Sequence, residues 1–378
     1  MVIFFPIVFS VYFLVNIYLF IKGFRAIPKT GYGKIIYTII FILFALSFLA
    51  GKIAERNHSS PLTDFLSFAG SFWLAFMLYA FLFLLVTDIL SPFLKLTGLI
   101  NSGNIQSFRK WLFIFAVALS SLLILAGYLN TLTPVVRHYN ISINKKAGDY
   151  KTYKIAAVSD IHLGSNTNIR FIKKLSDILT RVKPDAVFLL GDIVDGEIVP
   201  VIRKDLLKHF TCPRCNDGLL AITGNHEFIG GASITIPYIE SKGIKILKDE
   251  VAVIDGGIQV IGRIDRDGFR YNSYRRAPLA ELIEKTDTSK PLIVLDHQPV
   301  NLDEAANAGI DLQLSGHTHR GQMWPLNYIT EKVYENSYGI MKKGKTYFIV
   351  SSGYGLWGPR VRLGSKPEIV VVDIVFEN

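Results

Sequence analysis

The stretch Tyr153-Lys154-Ile155-Ala156-Ala157-Val158-Ser159-Asp160-Ile161-His162 decides the fold. Its first six residues make a mostly apolar run of strand length, and the run stops at a Ser-Asp turn. Asp160 and His162 stand two apart, so an extended strand end aims both side chains the same way. The construction recurs four times. Ala186–Leu190 runs into Gly191-Asp192-Ile193-Val194-Asp195, and Leu219–Ile222 into Thr223-Gly224-Asn225-His226-Glu227. Leu292–Leu295 runs into Asp296-His297-Gln298-Pro299, and residues 312–314 into Ser315-Gly316-His317-Thr318-His319. Between the first two runs, Ile169, Ile172, Leu175, Leu179 and Val182 recur at helical spacing, and Pro184 closes the segment. Strand, helix, strand in repetition predicts an α/β domain. Its functional groups collect beyond the carboxyl ends of the strands, where all five polar turns lie. Ile258–Gly262 and residues 346–351 and 367–376 read as additional strands, which predicts two packed sheets flanked by helices.

Upstream the composition changes. Half of the 378 residues are hydrophobic, with the excess at the front. Residues 2–21, 35–51, 65–87 and 111–136 are apolar and contain no charged side chain. A charge at a bilayer centre costs roughly 2.5–3.5 kcal/mol on insertion scales, so its absence from all four predicts four transmembrane helices. The first stretch lacks a basic leader and a small-residue cleavage pattern, and it is read as a retained helix. The expected domains are therefore four spans over 1–136, a polar linker over 137–150, and an α/β hydrolytic domain over 151–378.

Net charge is +10, and residues 1–136 hold nine Lys/Arg against three Asp/Glu. The basicity is thus largely a property of membrane loops and gives no reason to expect nucleic acid as a partner. Lys22, Arg25, Lys29, Lys34, Lys95, Arg109 and Lys110 fall on one side of the spans, and Lys52, Arg56, Arg137, Lys145 and Lys146 on the other. Seven against five places the C-terminal domain extracytoplasmically. The two cysteines, in Cys212-Pro213-Arg214-Cys215, have no second pair to complete a zinc site and are expected as a loop pair.

Asp, Asn and His are the ligand types that hold paired divalent ions around an attacking water. The ordered set D-x-H, G-D-x-x-D, G-N-H-E, H and G-H-x-H resembles the calcineurin-like metallophosphoesterases over residues 153 to about 375. Within that family the chain is most similar to its membrane-attached bacterial branch, which includes proteins resembling lipid A-pathway UDP-diacylglucosamine pyrophosphatases. The resemblance implies a two-sheet αββα sandwich and two divalent ions. It gives Asp160, His162, Asp192 and His319 to one ion, and Asp192, Asn225, His297 and His317 to the other. It further implies that the ions, Mn, Fe or Zn, clamp a phosphate and lower the pKa of a bridging water. His226 would then act as the acid toward the leaving oxygen.

Other residues carry two readings each. Asp195 can orient a ligand or cap a loop, and Glu227 can face the site or a helix terminus. Arg263, Arg266, Arg320 and Arg360 can grip an anionic phosphate or stand as solvated loop charges. Tyr354 and Trp357 can meet a membrane interface or pack in the core. The expected function is a membrane-bound phosphoesterase acting on a phosphomonoester, phosphodiester or pyrophosphate, with the bilayer suggesting a lipid-linked substrate. The rival is a non-catalytic metal-binding sensor or scaffold, which would have no use for His226.

Overall fold

The computed structural model describes residues 4–28, 31–212, 218–272 and 274–377. The chain divides into two compact units, Met1–Leu129 with Gly358–Val361, and Asn130–Trp357 with Arg362–Asn378.

The first unit holds helices α1 (Phe4–Ala26), α2 (Gly33–Asn57), α3 (Pro61–Leu96) and α4 (Ile105–Thr131). Each is long and apolar enough to cross a membrane, with mean hydropathy between 1.9 and 2.4. The helices outrun the uncharged stretches of the sequence. At 36 residues α3 is about 54 Å long, well beyond the roughly 30 Å hydrocarbon core, and it carries Asp88 and Lys95 toward its end. Small residues bring α2 and α3 together: a Cβ on Gly70 would overlap the Phe48 backbone. A polar tie links α1 to α3, with Trp73 Nε1 donating to Asn16 Oδ1 at 3.0 Å and Asn16 Nδ2 donating to the Tyr12 carbonyl at 2.9 Å.

The second unit contains, among the described residues, twelve strands: β1 (Val135–Ile143), β2 (Thr152–Val158), β3 (Ala186–Leu190), β4 (Leu219–Ile222), β5 (Lys245–Ile246), β6 (Glu250–Ile254), β7 (Ile258–Gly262), β8 (Leu292–Leu295), β9 (Leu312–Ser315), β10 (Gly339–Lys343), β11 (Thr346–Val350) and β12 (Glu368–Phe376). They form two six-stranded sheets, ordered β1-β12-β2-β3-β4-β5 and β10-β11-β9-β8-β7-β6. Strands β2 to β5 run parallel, as do β7, β8, β9 and β11.

Side-chain alternation builds the layers. Ile155, Ala157 and Phe188 point to a shared core with Ile293, Leu295, Leu312 and Leu314 of the other sheet. Ala156, Val158, Val187 and Leu189 point outward and meet Ile172, Leu175 and Leu179 of helix α5 (Ile169–Val182). On the far side, Leu292, Val294 and Phe348 pack on Leu279, Leu282 and Leu302, which lie on short helices. The order is helix, sheet, sheet, helix, as expected. Asn168 caps α5 by accepting from Phe171 N at 3.1 Å, and Lys183 ends it in the left-handed region, before Pro184.

One boundary needs correction. Residues 137–150, expected as a linker, begin inside β1, which pairs in parallel with the whole of β12. Ile141 and Ile143 enter the inter-sheet core, with Tyr139 packed against it. His138, Asn140 and Ser142 face the other way and are exposed, and their polarity, with Arg137 at the strand's start, hid the alternation. Cys212 is disulfide-bonded, while Cys215 lies outside the described residues. Lys29 also lies outside them.

Candidate metal centre

Five loops at the carboxyl ends of β2, β3, β4, β8 and β9 supply the centre, three from one sheet and two from the other. The backbone laces the first two together: Asp160 N donates to Gly191 O at 3.1 Å and His162 N to Asp192 O at 2.9 Å. Asp160, His162, Asp192, His317 and His319 all adopt φ between +47° and +70°. Left-handed backbone is uncommon for residues other than glycine, and five such positions in one site mark strain that the surrounding contacts hold in place. Close approach fixes some neighbours as glycine. A Cβ on Gly316 would overlap Ser159 Oγ and the Asp160 carboxylate, and one on Gly224 would overlap the Asp192 carboxylate.

The side chains converge in three groups, one of them His162, Asp195 and His226. Asp160, His162 and His319 bring one ligand atom each within 4.8 Å of one another, and so do Asp192, His297 and His317. His162 Nε2 lies 3.0 Å from His319 Nε2, 3.9 Å from Asp160 Oδ1 and 3.8 Å from Asp192 Oδ2. His319 Nε2 lies 3.4 Å from Asp160 Oδ1, and His297 Nε2 lies 3.2 Å from Asp192 Oδ2. Two ligand atoms at metal bond lengths of about 2.0–2.2 Å from one cation stand about 3 Å apart, so this crowding has the scale of a coordination shell. Asn225 Oδ1 and His297 Nε2 are buried without a hydrogen-bond partner. Orphaned polar atoms in a buried cluster of carboxylates and imidazoles fit a cation. The His297 ring is oriented to ligate: its Nδ1 lies 2.7 Å from the Leu190 carbonyl and donates to it, leaving Nε2 to face Asp192.

Electrostatics separate the histidines. Burial drives His319 down to about 3 and His317 down to about 4, so both rings are neutral at pH 7, the form that ligates metal. Burial also pulls down His226 and His297, but the Asp192 carboxylate outweighs it in both. His226, which also faces Asp195, rises to about 9, and His297 rises well above its usual value. The His226 backbone N–H donates to Asp192 Oδ1 at 2.9 Å, and its Nδ1 lies 3.3 Å from Asp195 Oδ1, an ion-pair contact. Asp195 Oδ1 also lies 3.2 Å from His162 Nδ1. Asp195 Oδ1 thus stands between two imidazoles.

Glu227 faces backbone. It accepts from Asp192 N at 3.0 Å, Val194 N at 3.0 Å and Gly224 N at 2.7 Å, clamping two of the ligand loops. The arginines part company. Arg263, 5% exposed, gives its guanidinium to Glu304 at 3.0 Å and the Ala277 carbonyl at 3.0 Å, with Asp296 at 3.7 Å. Both terminal guanidinium nitrogens are thus engaged within the fold, which departs from the solvated loop charge and leaves little of the group for a phosphate. Arg266 is exposed, and Arg320 lies over the Tyr338 ring at 4.4 Å, beside the Gly-His-Thr-His turn. Arg360 belongs to the segment Gly358–Val361, grouped with the first unit. Tyr354 is buried, donating its hydroxyl to the Phe171 carbonyl at 3.0 Å, whereas Trp357 is 59% exposed.

One residue escaped the sequence reading. Arg362 is fully buried and its NH2 donates toward His319 Nδ1 at 3.3 Å. It also donates to the carbonyls of Ser352, Gly355 and Lys366 at 2.8–3.0 Å, and burial lowers it to about 10. Nothing in Val361-Arg362-Leu363-Gly364 distinguishes it from a loop charge, and only the fold places it behind a ligand.

Residues 153–321 match the family model described as calcineurin-like phosphoesterase. An uncharacterized metallophosphoesterase of Campylobacter jejuni subsp. jejuni is 30% identical over 382 residues, covering 97% of both chains, so that likeness includes the four helices. An uncharacterized metallophosphoesterase of Aquifex aeolicus is 33% identical over 58% of this chain and 84% of its own. A bovine transmembrane protein with metallophosphoesterase domain is 26% identical over 67% of this chain and 60% of its own.

Proposed function

Since this chain belongs to the calcineurin-like phosphoesterase family, and is thereby a metal-dependent phosphoesterase, we propose that it hydrolyses a lipid-linked phosphoester or pyrophosphate at a two-cation site. The ligands are Asp160, His162, Asp192 and His319 for one ion, and Asp192, Asn225, His297 and His317 for the other. The observation that supports this reading most is the convergence of six of these side chains, with Asn225 Oδ1 and His297 Nε2 buried and left unsatisfied. The all-N,O donor set, without thiolate, suits Mn, Fe or Zn.

When bound, a pair of divalent ions supplies Lewis acidity to phosphoryl oxygens and lowers the pKa of water toward 7. The remaining steps belong to the chain's own groups. Asp192 lies 3.2 Å from His297 Nε2 of its own cluster and 3.8 Å from His162 Nε2 of the other, so its carboxylate would be within reach of both ions. Asp195 Oδ1 lies within 3.3 Å of both the His162 and the His226 ring, and the Asp192 and Asp195 carboxylates favour a proton on His226. His226 is the acid that donates this proton to the departing oxygen. A non-catalytic sensor would not need a poised imidazolium there. Arg320, half-buried over the Tyr338 ring, remains a candidate for an anionic substrate group with Arg266 and Arg360, and Asp195 and Arg263 act within the fold.

The protein is a membrane protein by its four helices and its transmembrane relatives. The lipid-linked substrate follows from tethering a hydrolytic site to four spans, and the extracytoplasmic side from the seven-to-five distribution of basic residues. Metal analysis of the purified chain, with a panel of lipid-linked and soluble esters and pyrophosphates, tests the reading. Asp192→Asn should lose activity and much of the bound metal, whereas His226→Ala should keep the metal and lose turnover. Full activity in both would refute the assigned roles, and a strong preference for soluble nucleotides would refute the lipid-linked substrate.

A further inference from the structure

The four-helix unit holds a partly open cavity of about 420 Å³ between its helices. Its walls include Leu19, Tyr37, Phe41, Trp73, Ala80 and Ala116, and among the described residues no charged side chain lines it. An apolar cavity does not retain water, and an empty one forfeits the dispersion contacts of its walls. The medium around membrane-spanning helices offers one abundant filler, a hydrocarbon chain.

What lies one helical turn beyond the cavity selects the head group. Leu19, Tyr37, Leu84 and Phe113 line it. Three or four residues away, along the same helix faces, come Lys22, Lys34, Asp88 and Lys110. Gln106 Nε2 donates to the carbonyls of Arg25 and Ala26 at 3.1 and 3.4 Å, which ties the start of α4 to the end of α1 and brings these basic ends together. Lys22 pairs with Asp88. Lys34 lies over the Phe24 ring at 4.3 Å and Lys110 over Trp111 at 5.5 Å, with no carboxylate paired to either among the described residues. Two ammonium groups without a paired carboxylate thus lie one helical turn beyond residues that line an apolar slot.

We propose that this unit holds one resident anionic phospholipid of the bilayer, with an acyl chain in the cavity and its phosphate at Lys34 and Lys110. The site is independent of the phosphoesterase centre, and the lipid is retained intact.

The test uses the full chain, purified in detergent, stripped of lipid, and melted with added dioleoyl phosphatidylglycerol or dioleoyl phosphatidylcholine. A ligand bound only by the folded state raises the midpoint. The expected result is a rise of several degrees with phosphatidylglycerol and a smaller one with phosphatidylcholine. Lys34→Gln with Lys110→Gln should erase the difference between the lipids, and Ala80→Phe with Ala116→Phe should erase the rise itself. Equal rises in the unaltered chain, or a persistent rise after filling the cavity, would overturn the proposal. Because a filled bundle can misfold, phosphatidylglycerol carrying an acyl-chain diazirine provides a second measure. Crosslinks should map to cavity residues such as Phe72 and Phe76, and labelling confined to outward residues such as Leu43 would count against the site. Recovery of cleaved phosphatidylglycerol would show a substrate instead of a resident. Turnover of a soluble aryl phosphodiester should be unchanged in the filled variant, which keeps this test separate from that of the catalytic reading.

Discussion

Glu227 adjoins the proposed acid in sequence, yet it spends both carboxylate oxygens on three backbone N–H groups. Those amides belong to the loops that carry Asp192 and Asn225, so the clamp sets ligand positions without touching a ligand atom. Glu227→Gln keeps the shape but can turn an NH₂ toward an N–H donor. An unmet buried donor costs about 1–3 kcal/mol. The expected outcome is a lower thermal midpoint and weaker metal binding, both measurable by titrating the metal-free chain. Arg362 poses the parallel case behind His319. Arg362→Met should leave the Ser352 and Gly355 carbonyls without their guanidinium donor and free the His319 ring, and metal content should fall from two ions toward one before the fold is lost. Atomic absorption on folded, monodisperse protein checks this, and a full complement of two would discount the positioning role. The difference in legibility between these residues is physical. Ligand loops announce themselves because Asp, Asn and His recur after apolar runs. A supporting arginine announces nothing, since its role depends on which carbonyls the fold gathers around it. Arg263 shows the converse: a basic residue just past a strand looked available to phosphate, but Glu304 and Asp296 occupy it.

Strands β2, β3, β4, β8 and β9 could be read from sequence because burial on both faces makes them continuous apolar runs. Strand β1 could not, because its outward residues are polar and it follows a membrane helix. The two-residue β5 is too short to show any period. The missed strand matters for where the hydrolytic unit begins. β1 covers one edge of β12, whose sequence Glu-Ile-Val-Val-Val-Asp-Ile-Val-Phe is nearly all apolar. An exposed edge of that length and composition is a template for pairing with other chains. A soluble fragment starting at Lys151, the boundary suggested by sequence, should therefore aggregate. One starting at Leu132 should elute as a monomer and bind metal. Size-exclusion chromatography of the two decides it, and a monodisperse shorter fragment would show that β1 is dispensable.

At the scale of the whole molecule, sequence conveyed the number of spans and the class of chemistry, but orientation rests on a thin margin. Seven Lys/Arg against five is a difference of two charges, and four of the seven lie in or next to the single short connection between α1 and α2. Orientation follows Lys and Arg in short loops close to helix ends, and acidic residues contribute little, so the Lys22–Asp88 pair does not change the count. A reporter that becomes active only outside the cytoplasm, such as alkaline phosphatase fused after Asn378, should be active, and a fluorescent protein that matures only inside should stay dark. The margin makes a sharper test possible. His58→Lys with Ser59→Lys places two cations in the connection between α2 and α3, on the side with five, and levels the distribution. If basic residues set the topology, this pair should yield a mixture of orientations, with both reporters giving partial signals. If orientation is instead imposed by how the helices pack, through contacts such as Gly70 on Phe48 and Trp73 on Asn16, the two lysines should leave both reporters as they were.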